Sequence, residues 1–230
     1  MSDAEATTPR VFIARHGETE WAKIGRFTGI TDIELTEHGI KQVSTTAAQL
    51  VGRGKLLDPS KVAHICVSPR KRAQQTYEIL FAGGEPAIEG QRVTVTEDIA
   101  EWGYGDYEGL KAEEIRATRK AKGLDQDKPW DMWRDGCEGG ESAQDVCTRL
   151  DRLISQIRDV QRPCMTGEGH ADVVVVAHGA ILRAFVKRWL HFPLDMPLNL
   201  MFEPGAIGVL SYKNNNIRQP ALLVGMALPP

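Results

Sequence analysis

Cysteine is scarce: four in 230 residues, and Cys66, Cys137, Cys147 and Cys164 form no CxxC pair. That excludes a disulfide framework and a compact Cys/His zinc cluster. No apolar run approaches the roughly 20 residues that a bilayer span requires. Charge of one sign is not in excess either, with 28 Lys and Arg against 31 Asp and Glu and a formal net charge of −3. Without a basic stripe, neither nucleic acid nor a membrane surface is an expected partner, and any preference for anions must be local. Met1–Arg10 is polar and partly acidic, with none of the apolar centre of a signal peptide. It reads as a loose tail, and the expected compartment is reducing and cytoplasmic, with the nucleus left open. Internal repeats and low-complexity tracts are missing as well.

What remains is an ordinary globular composition at a length that suits one domain, taken as residues 11–230. A chain of this size buries roughly 70–75% of its unfolded surface and needs no staples. Val11–Ala14, Val62–Val67, Val93–Thr96, Val173–Ala177, Ala206–Leu210 and Ala221–Val224 read as strands. Thr36 caps a predicted helix in which Ile40, Val43, Ala47, Leu50 and Val51 recur at helical spacing. Further helices are expected over Arg70–Phe81 (inner face Ala73, Tyr77, Leu80), Ala112–Lys122 with Gly123 ending it, and Ile181–Leu190. Ser142, with Asp145 three residues on, opens the longest helix, whose stripe is Val146, Leu150, Leu153, Ile154 and Ile157. Gly83, Gly84 and Pro86 mark a loop. The alternation of strand and helix predicts an α/β fold: a mostly parallel central sheet with helices on both faces.

Two of the apolar runs end alike, in Arg15-His16-Gly17 and Ala177-His178-Gly179. If these strands are parallel neighbours, both imidazoles reach the same carboxyl edge of the sheet, where open α/β sheets place their ligands. An arginine beside the first histidine makes an anionic ligand the natural expectation.

Arg15-His16-Gly17-Glu18-Thr19 resembles the signature of the histidine phosphatase superfamily, which includes the cofactor-dependent phosphoglycerate mutases. Gly25-Arg26-Phe27-Thr28-Gly29, Leu35-Thr36, Gly39, Ser68-Pro69, Arg72-Ala73, Gln75-Thr76, Glu101, Gly140-Glu141-Ser142 and Ala177-His178-Gly179 follow at the family's spacing. The segments Glu101–Gly109, Lys122-Gly123-Leu124-Asp125, Pro129-Trp130 and Trp133–Glu138 are similar to the fungal sedoheptulose-1,7-bisphosphatase branch. So are Gly208–Tyr212 and Gln219–Leu222.

The resemblance implies a phosphoglycerate mutase-like fold and a metal-independent phosphatase without cofactor. It would act on a small phosphorylated metabolite through a phosphohistidine, with sedoheptulose 1,7-bisphosphate the first candidate and fructose 1,6-bisphosphate the next. His16 is then the nucleophile and Glu101 the general acid and later base. Arg15, Arg72, His178 and Gly179, with the start of the next helix, would bind the phosphate. Thr28, Gly29, Tyr104 and Arg183 would contact the rest of the substrate.

Several of these residues have plainer alternatives. Glu97, Asp98, Asp106 and Glu108 compete with Glu101 for the acid role. Tyr104 is either packing or a ligand, and Arg183 serves either a second phosphate or a structural salt bridge. Arg70 and Lys71 are expected to be solvated. The basic cluster Arg116, Arg119, Lys120 and Lys122 reads as dipole compensation at a helix C-terminus. Where the mutases carry Asn this chain has Ala22, and no mutase-like basic stretch follows Gly109. Both points disfavour a mutase, which stays as the alternative enzyme. A regulatory protein that binds phosphorylated ligands with little turnover is the alternative of another class, and a homo-oligomer is left open.

Overall fold

The computed structural model describes residues 8–82 and 92–225. Strands β1 (Val11–Arg15), β2 (Val62–Val67), β3 (Arg92–Val95), β4 (Asp172–Ala177), β5 (Ile207–Tyr212) and β6 (Pro220–Leu222) form a six-stranded sheet in the order β3-β2-β4-β1-β5-β6. Pairs β3/β2, β2/β4 and β4/β1 are parallel, while β5 runs antiparallel to both β1 and β6. The expected mostly parallel sheet is therefore observed. The helices are α1 (Glu20–Lys23), α2 (Glu37–Leu50), α3 (Lys71–Phe81), α4 (Ala112–Ala121), α5 (Met132–Asp135), α6 (Ala143–Gln161) and α7 (Gly179–Trp189).

Alternation along the central strands divides the core. Val11, Ile13, Val173, Val175 and Ala177 face one side with the inner stripes of α6 and α7. Phe12, Ala14, Val174 and Val176 face the other, with Val43 of α2 and Ala73 and Leu80 of α3. Central strands buried on both faces are why these runs read as continuous rather than alternating apolar sequence. The register pairs Arg15 with Ala177, so His16 and His178 leave the sheet side by side at its carboxyl edge. His16 N–H extends that ladder onto Ala177 O at 2.9 Å, and Ser68 N–H does the same onto Val176 O at 3.0 Å.

Capping follows the sequence. Ser142 and Asp145 form a reciprocal box at α6, Thr36 Oγ accepts from Gly39 N–H at α2, and Gly123 ends α4 at a φ of +71°. Other expectations need correction. Thr8 is buried and Arg10 holds Asp172 at 2.6 Å, so packing begins before β1 rather than after a tail ending at Arg10. Ile40, placed on the inner face of α2, is 42% exposed, because that helix turns only Gly39 and Val43 fully inward. Helix α7 starts at Gly179, two residues earlier than its apolar pattern suggests, since the glycine and alanine of its first turn carry no periodic signal. Single-turn α1 and α5 lie in segments to which the sequence pattern assigns no helix. The last strand ends at Leu222, short of Val224. Residues 1–7 and the loop marked by Gly83, Gly84 and Pro86 lie outside the described residues. Among the described residues no helix is long and apolar enough to cross a membrane.

Candidate active site

Sheet pairing brings His16 and His178 within 5.1 Å, ring centroid to centroid, with planes inclined at 60°. Both are buried, as the carboxyl ends of two central strands require. His16 Nδ1 lies 2.7 Å from Gly17 O. A carbonyl only accepts, so Nδ1 carries the hydrogen and Nε2 keeps its lone pair. Burial, and after it the charge of Arg72, lower the His16 pKa to about 3. The ring is thus a neutral base with Nε2 uncommitted, the state a nitrogen nucleophile needs.

His178 is wired the other way. Its Nδ1 accepts from Arg72 Nε at 3.0 Å, and its Nε2 is 2.6 Å from Ser68 Oγ. Burial and Arg72 hold its pKa well below the ordinary value. Both ring nitrogens are taken by protein partners, so His178 holds Arg72 and has no N–H left to offer a ligand. Arg72, 1% exposed, is fixed at its other corners by the carbonyls of Thr31 (2.9 Å), Thr28 (2.9 Å) and Gly29 (3.1 Å). Thr28 and Gly29 therefore act on the site through backbone oxygens that aim the guanidinium. Gly29 has no room for a side chain: a Cβ would come within 2.6 Å of Trp102 O.

Arg15 at the end of β1 donates from Nη1 to Phe202 O at 2.5 Å, while its buried Nε has no partner. A buried guanidinium N–H left open beside a neutral imidazole is where an anion would be stabilised. Burial and the charge of Arg183 lower the pKa of Arg15, which nonetheless stays protonated at any physiological pH.

Glu101 is buried at the N-terminus of α7. Oε1 accepts from Trp102 N–H and Ile181 N–H, both at 2.9 Å, and Oε2 from Ala180 N–H at 3.1 Å. This corrects one expectation: these two first-turn N–H groups are held by Glu101 and are not left for a phosphate. What Gly179 supplies is closeness, since a Cβ there would meet Arg15 Cζ at 3.2 Å. The rival carboxylates are engaged elsewhere. Glu97 pairs with Arg70, Asp98 with Arg152, Asp106 faces Lys122, and Glu108 accepts from the backbone of Gly29 and Thr31.

Tyr104 is buried edge-on against Phe27 at 4.9 Å, and burial together with Glu101 pushes its hydroxyl pKa well up. Arg183 makes no structural salt bridge among the described residues; it donates to Leu200 O (3.0 Å) and Gly179 O (3.1 Å). It lines a cavity of about 240 Å³ with Trp133, Lys187 and the segment 198–201. Arg70, expected to be solvated, is tucked against Glu97 with its side chain only 19% exposed. Arg119 and Lys122 serve structure, through Asp125 and Glu138.

Two contributors carry no sequence signal for their roles. Ser68 was visible only as part of a motif, and its hydroxyl bond to His178 depends on the β2/β4 register. Arg149, one of many helix arginines, binds the Glu141 carboxylate at 2.7 and 2.9 Å and the carbonyls of Asp98 and Ala100. It thereby pins the loop that carries Glu101. Among the described residues no group of three or more His, Cys, Asp or Glu is placed to hold a metal ion.

Residues 11–222 match the family described as "Histidine phosphatase superfamily (branch 1)". The chain is 37% identical to the sedoheptulose 1,7-bisphosphatase of Saccharomyces cerevisiae, over 97% of this chain and 95% of that protein. It is 33% identical to an acid phosphatase of Mycobacterium tuberculosis, over 93% and 91%. Among solved structures, a mycobacterial glucosyl-3-phosphoglycerate phosphatase complexed with VO3 superposes with a TM-score of 0.73 at 25% identity, covering 96% of this chain and all of the other.

Proposed function

The chain belongs to the histidine phosphatase superfamily, branch 1, and is a phosphoric monoester hydrolase; from that premise we propose that it dephosphorylates a small sugar bisphosphate through a phosphohistidine, without a metal or other cofactor. The observation that carries the reading is the His16 tautomer: Nδ1–H tied to Gly17 O and Nε2 open beside Arg15 and Arg72.

In this reading the scissile phosphate lies between Nε2 of His16 and the two guanidinium groups. Arg15 Nε and the Arg72 fork neutralise the non-bridging oxygens, which is most of what phosphoryl transfer asks of a protein. Nε2 attacks phosphorus in line, the P–O bond to the sugar breaks, and Glu101 gives its proton to the leaving alkoxide. Glu101 then takes a proton from water, which attacks phosphorus and breaks the P–N bond. Inorganic phosphate leaves, and His16 returns to its neutral form. Tyr104, Thr28, Gly29 and Arg183 frame the sugar, and His178 serves the anion by holding Arg72.

Sedoheptulose 1,7-bisphosphate is the leading substrate, supported by the yeast relative of that name, with fructose 1,6-bisphosphate next. A panel of phosphorylated metabolites ranked by kcat/KM, with released phosphate and phosphate transfer between carbons both measured, tests this. A sugar bisphosphate at the head with free phosphate released supports the proposal. Transfer primed by 2,3-bisphosphoglycerate would make the protein a mutase, and burst labelling of His16 without turnover would make it a binding protein.

A further inference from the structure

The loop of residues 28–31 belongs to no helix or strand, yet it supplies three of the four acceptors that hold Arg72. Four acceptors for five guanidinium N–H groups leave little freedom over where the remaining donor points. The aim of Arg72 is therefore no better fixed than the loop. What fixes the loop is on its other side. The Gly29 N–H donates to both oxygens of the Glu108 carboxylate, at 3.0 and 2.9 Å, and the Thr31 N–H donates to Oε1 at 2.9 Å. Neither N–H has a backbone acceptor among the described residues.

One peptide unit takes part in both sets of contacts. Thr28 C=O and Gly29 N–H are the two ends of the same planar group, so Arg72 Nη2 holds its oxygen while Glu108 holds its N–H. A cation at the oxygen end and an anion at the N–H end both act along the peptide dipole, and each bond strengthens the other. The approach is close enough that position 29 must be glycine: a Cβ there would come within 2.8 Å of Glu108 Oε2 and 3.2 Å of Tyr104 Cδ2. Glu108 is itself placed by backbone pairing. Gly109 N–H donates to Phe27 O at 2.8 Å and Phe27 N–H to Leu110 O at 2.9 Å, which lays the chain after Glu108 beside the chain before Thr28.

We propose that Glu108 is a positioning residue of the reaction: by holding the loop 28–31 from behind, it sets the aim of Arg72 at the phosphate. The inference rests on the phosphatase reading above, since Glu108 has this part only where Arg72 meets a phosphoryl group. Glu108 acts through Arg72 and gives no proton to the leaving group. Truncating it frees two N–H groups, and the three carbonyls then no longer converge on one point. A guanidinium displaced by about 1 Å stabilises the transition state far less, because misplacement of that size can cost about 10²-fold. The loss belongs to the phosphoryl oxygens, so it is the same whatever alcohol or phenol departs.

The test measures kcat and KM with fructose 1,6-bisphosphate and with p-nitrophenyl phosphate, and thermal unfolding verifies that each variant folds. Glu108→Ala should lower kcat about tenfold to a hundredfold on both substrates. Glu108→Gln keeps one acceptor oxygen and should recover part of that loss; it takes the place of Glu108→Ala throughout if the latter does not fold. In an Arg72→Lys background, where the four-point hold is already gone, adding Glu108→Ala should change kcat by less than about twofold. Full additivity in that cycle overturns the proposal, because Glu108 then acts independently of Arg72. Slowing confined to fructose 1,6-bisphosphate overturns it too and makes Glu108 a proton donor. If the unaltered protein hydrolyses neither substrate, the phosphatase reading has failed and the proposal with it; if it hydrolyses them and folded Glu108→Ala matches its kcat, the positioning role alone has failed.

Discussion

Arg72 Nε donates to His178 Nδ1 at 3.0 Å, and because a guanidinium can only donate, that one bond fixes the imidazole. Nδ1 keeps the lone pair, so the ring hydrogen is on Nε2 and goes to Ser68 Oγ at 2.6 Å. His16, 5.1 Å away, has the opposite tautomer. Two histidines that look equivalent in sequence are thus wired differently, one holding an arginine and one keeping Nε2 open.

That wiring makes Ser68, fully buried at the end of β2, a positioning residue. Ser68→Ala leaves the His178 Nε2–H without a partner, which should destabilise the fold by about 1–3 kcal/mol. It should also lower kcat about tenfold or more as Arg72 loses its aim. Ser68→Thr, which keeps the hydroxyl, should restore much of kcat. Urea melts and steady-state kinetics on both variants check this, and a destabilised Ser68→Ala enzyme with undiminished kcat would confine the bond to structure.

The core and the two histidines were legible in the sequence because local pattern carried them. Continuous apolar runs gave β1, β2 and β4, and a Ser–Asp box gave the start of α6 within a residue. Patterns of one segment cannot show which donor meets which acceptor across 106 residues of chain, as Arg72 and His178 do. So the residues that gather at the carboxyl edge of the sheet were legible while their hydrogen-bond partners were not. The first turn of α7 was read as a phosphate cradle, yet its Ala180 and Ile181 N–H groups are committed to Glu101, whose position depends on the Arg149–Glu141 pair.

The buried histidines tie stability to pH. The folded-state pKa of His16 is about 3 and that of His178 is also far below its free value, so between these values and about 6.5 the unfolded chain binds more protons than the folded one. Stability is then fully present above about pH 6.5 and falls as the medium is acidified. Melting temperature should drop steadily from pH 7 to pH 4.5, and His16→Gln should flatten that slope. Equal slopes in the two proteins would mean that His16 is protonated in the fold.

Glu101 is the one carboxylate of its loop that sits against the start of α7 beside Arg15 and Arg72, and the acid role proposed for it would depend on the leaving group. A sugar alkoxide needs a proton as the P–O bond breaks; p-nitrophenolate hardly does. Glu101→Ala should slow sugar phosphate hydrolysis by about 10²–10⁴-fold, the usual size of a general-acid contribution, and aryl phosphate hydrolysis far less. Equal slowing of both would take the acid role away from Glu101.

Charge neutralisation by fixed guanidinium groups also sets what chelation and substitution should do. Arg15 and Arg72 are cations at any working pH, and the Arg72 fork is aimed by Thr28, Gly29, Thr31 and His178 together. Activity should therefore be insensitive to EDTA, and loss on chelation that a divalent ion restores would overturn the assignment. Arg72→Lys keeps the charge but cannot reach those four partners and the phosphate at once, since an ammonium offers a point and not a plane. It should lower kcat by about 10²–10³-fold, as removing one preorganised donor does. Near-normal turnover in Arg72→Lys would mean that net charge, and not the geometry of the fork, is what the transition state uses.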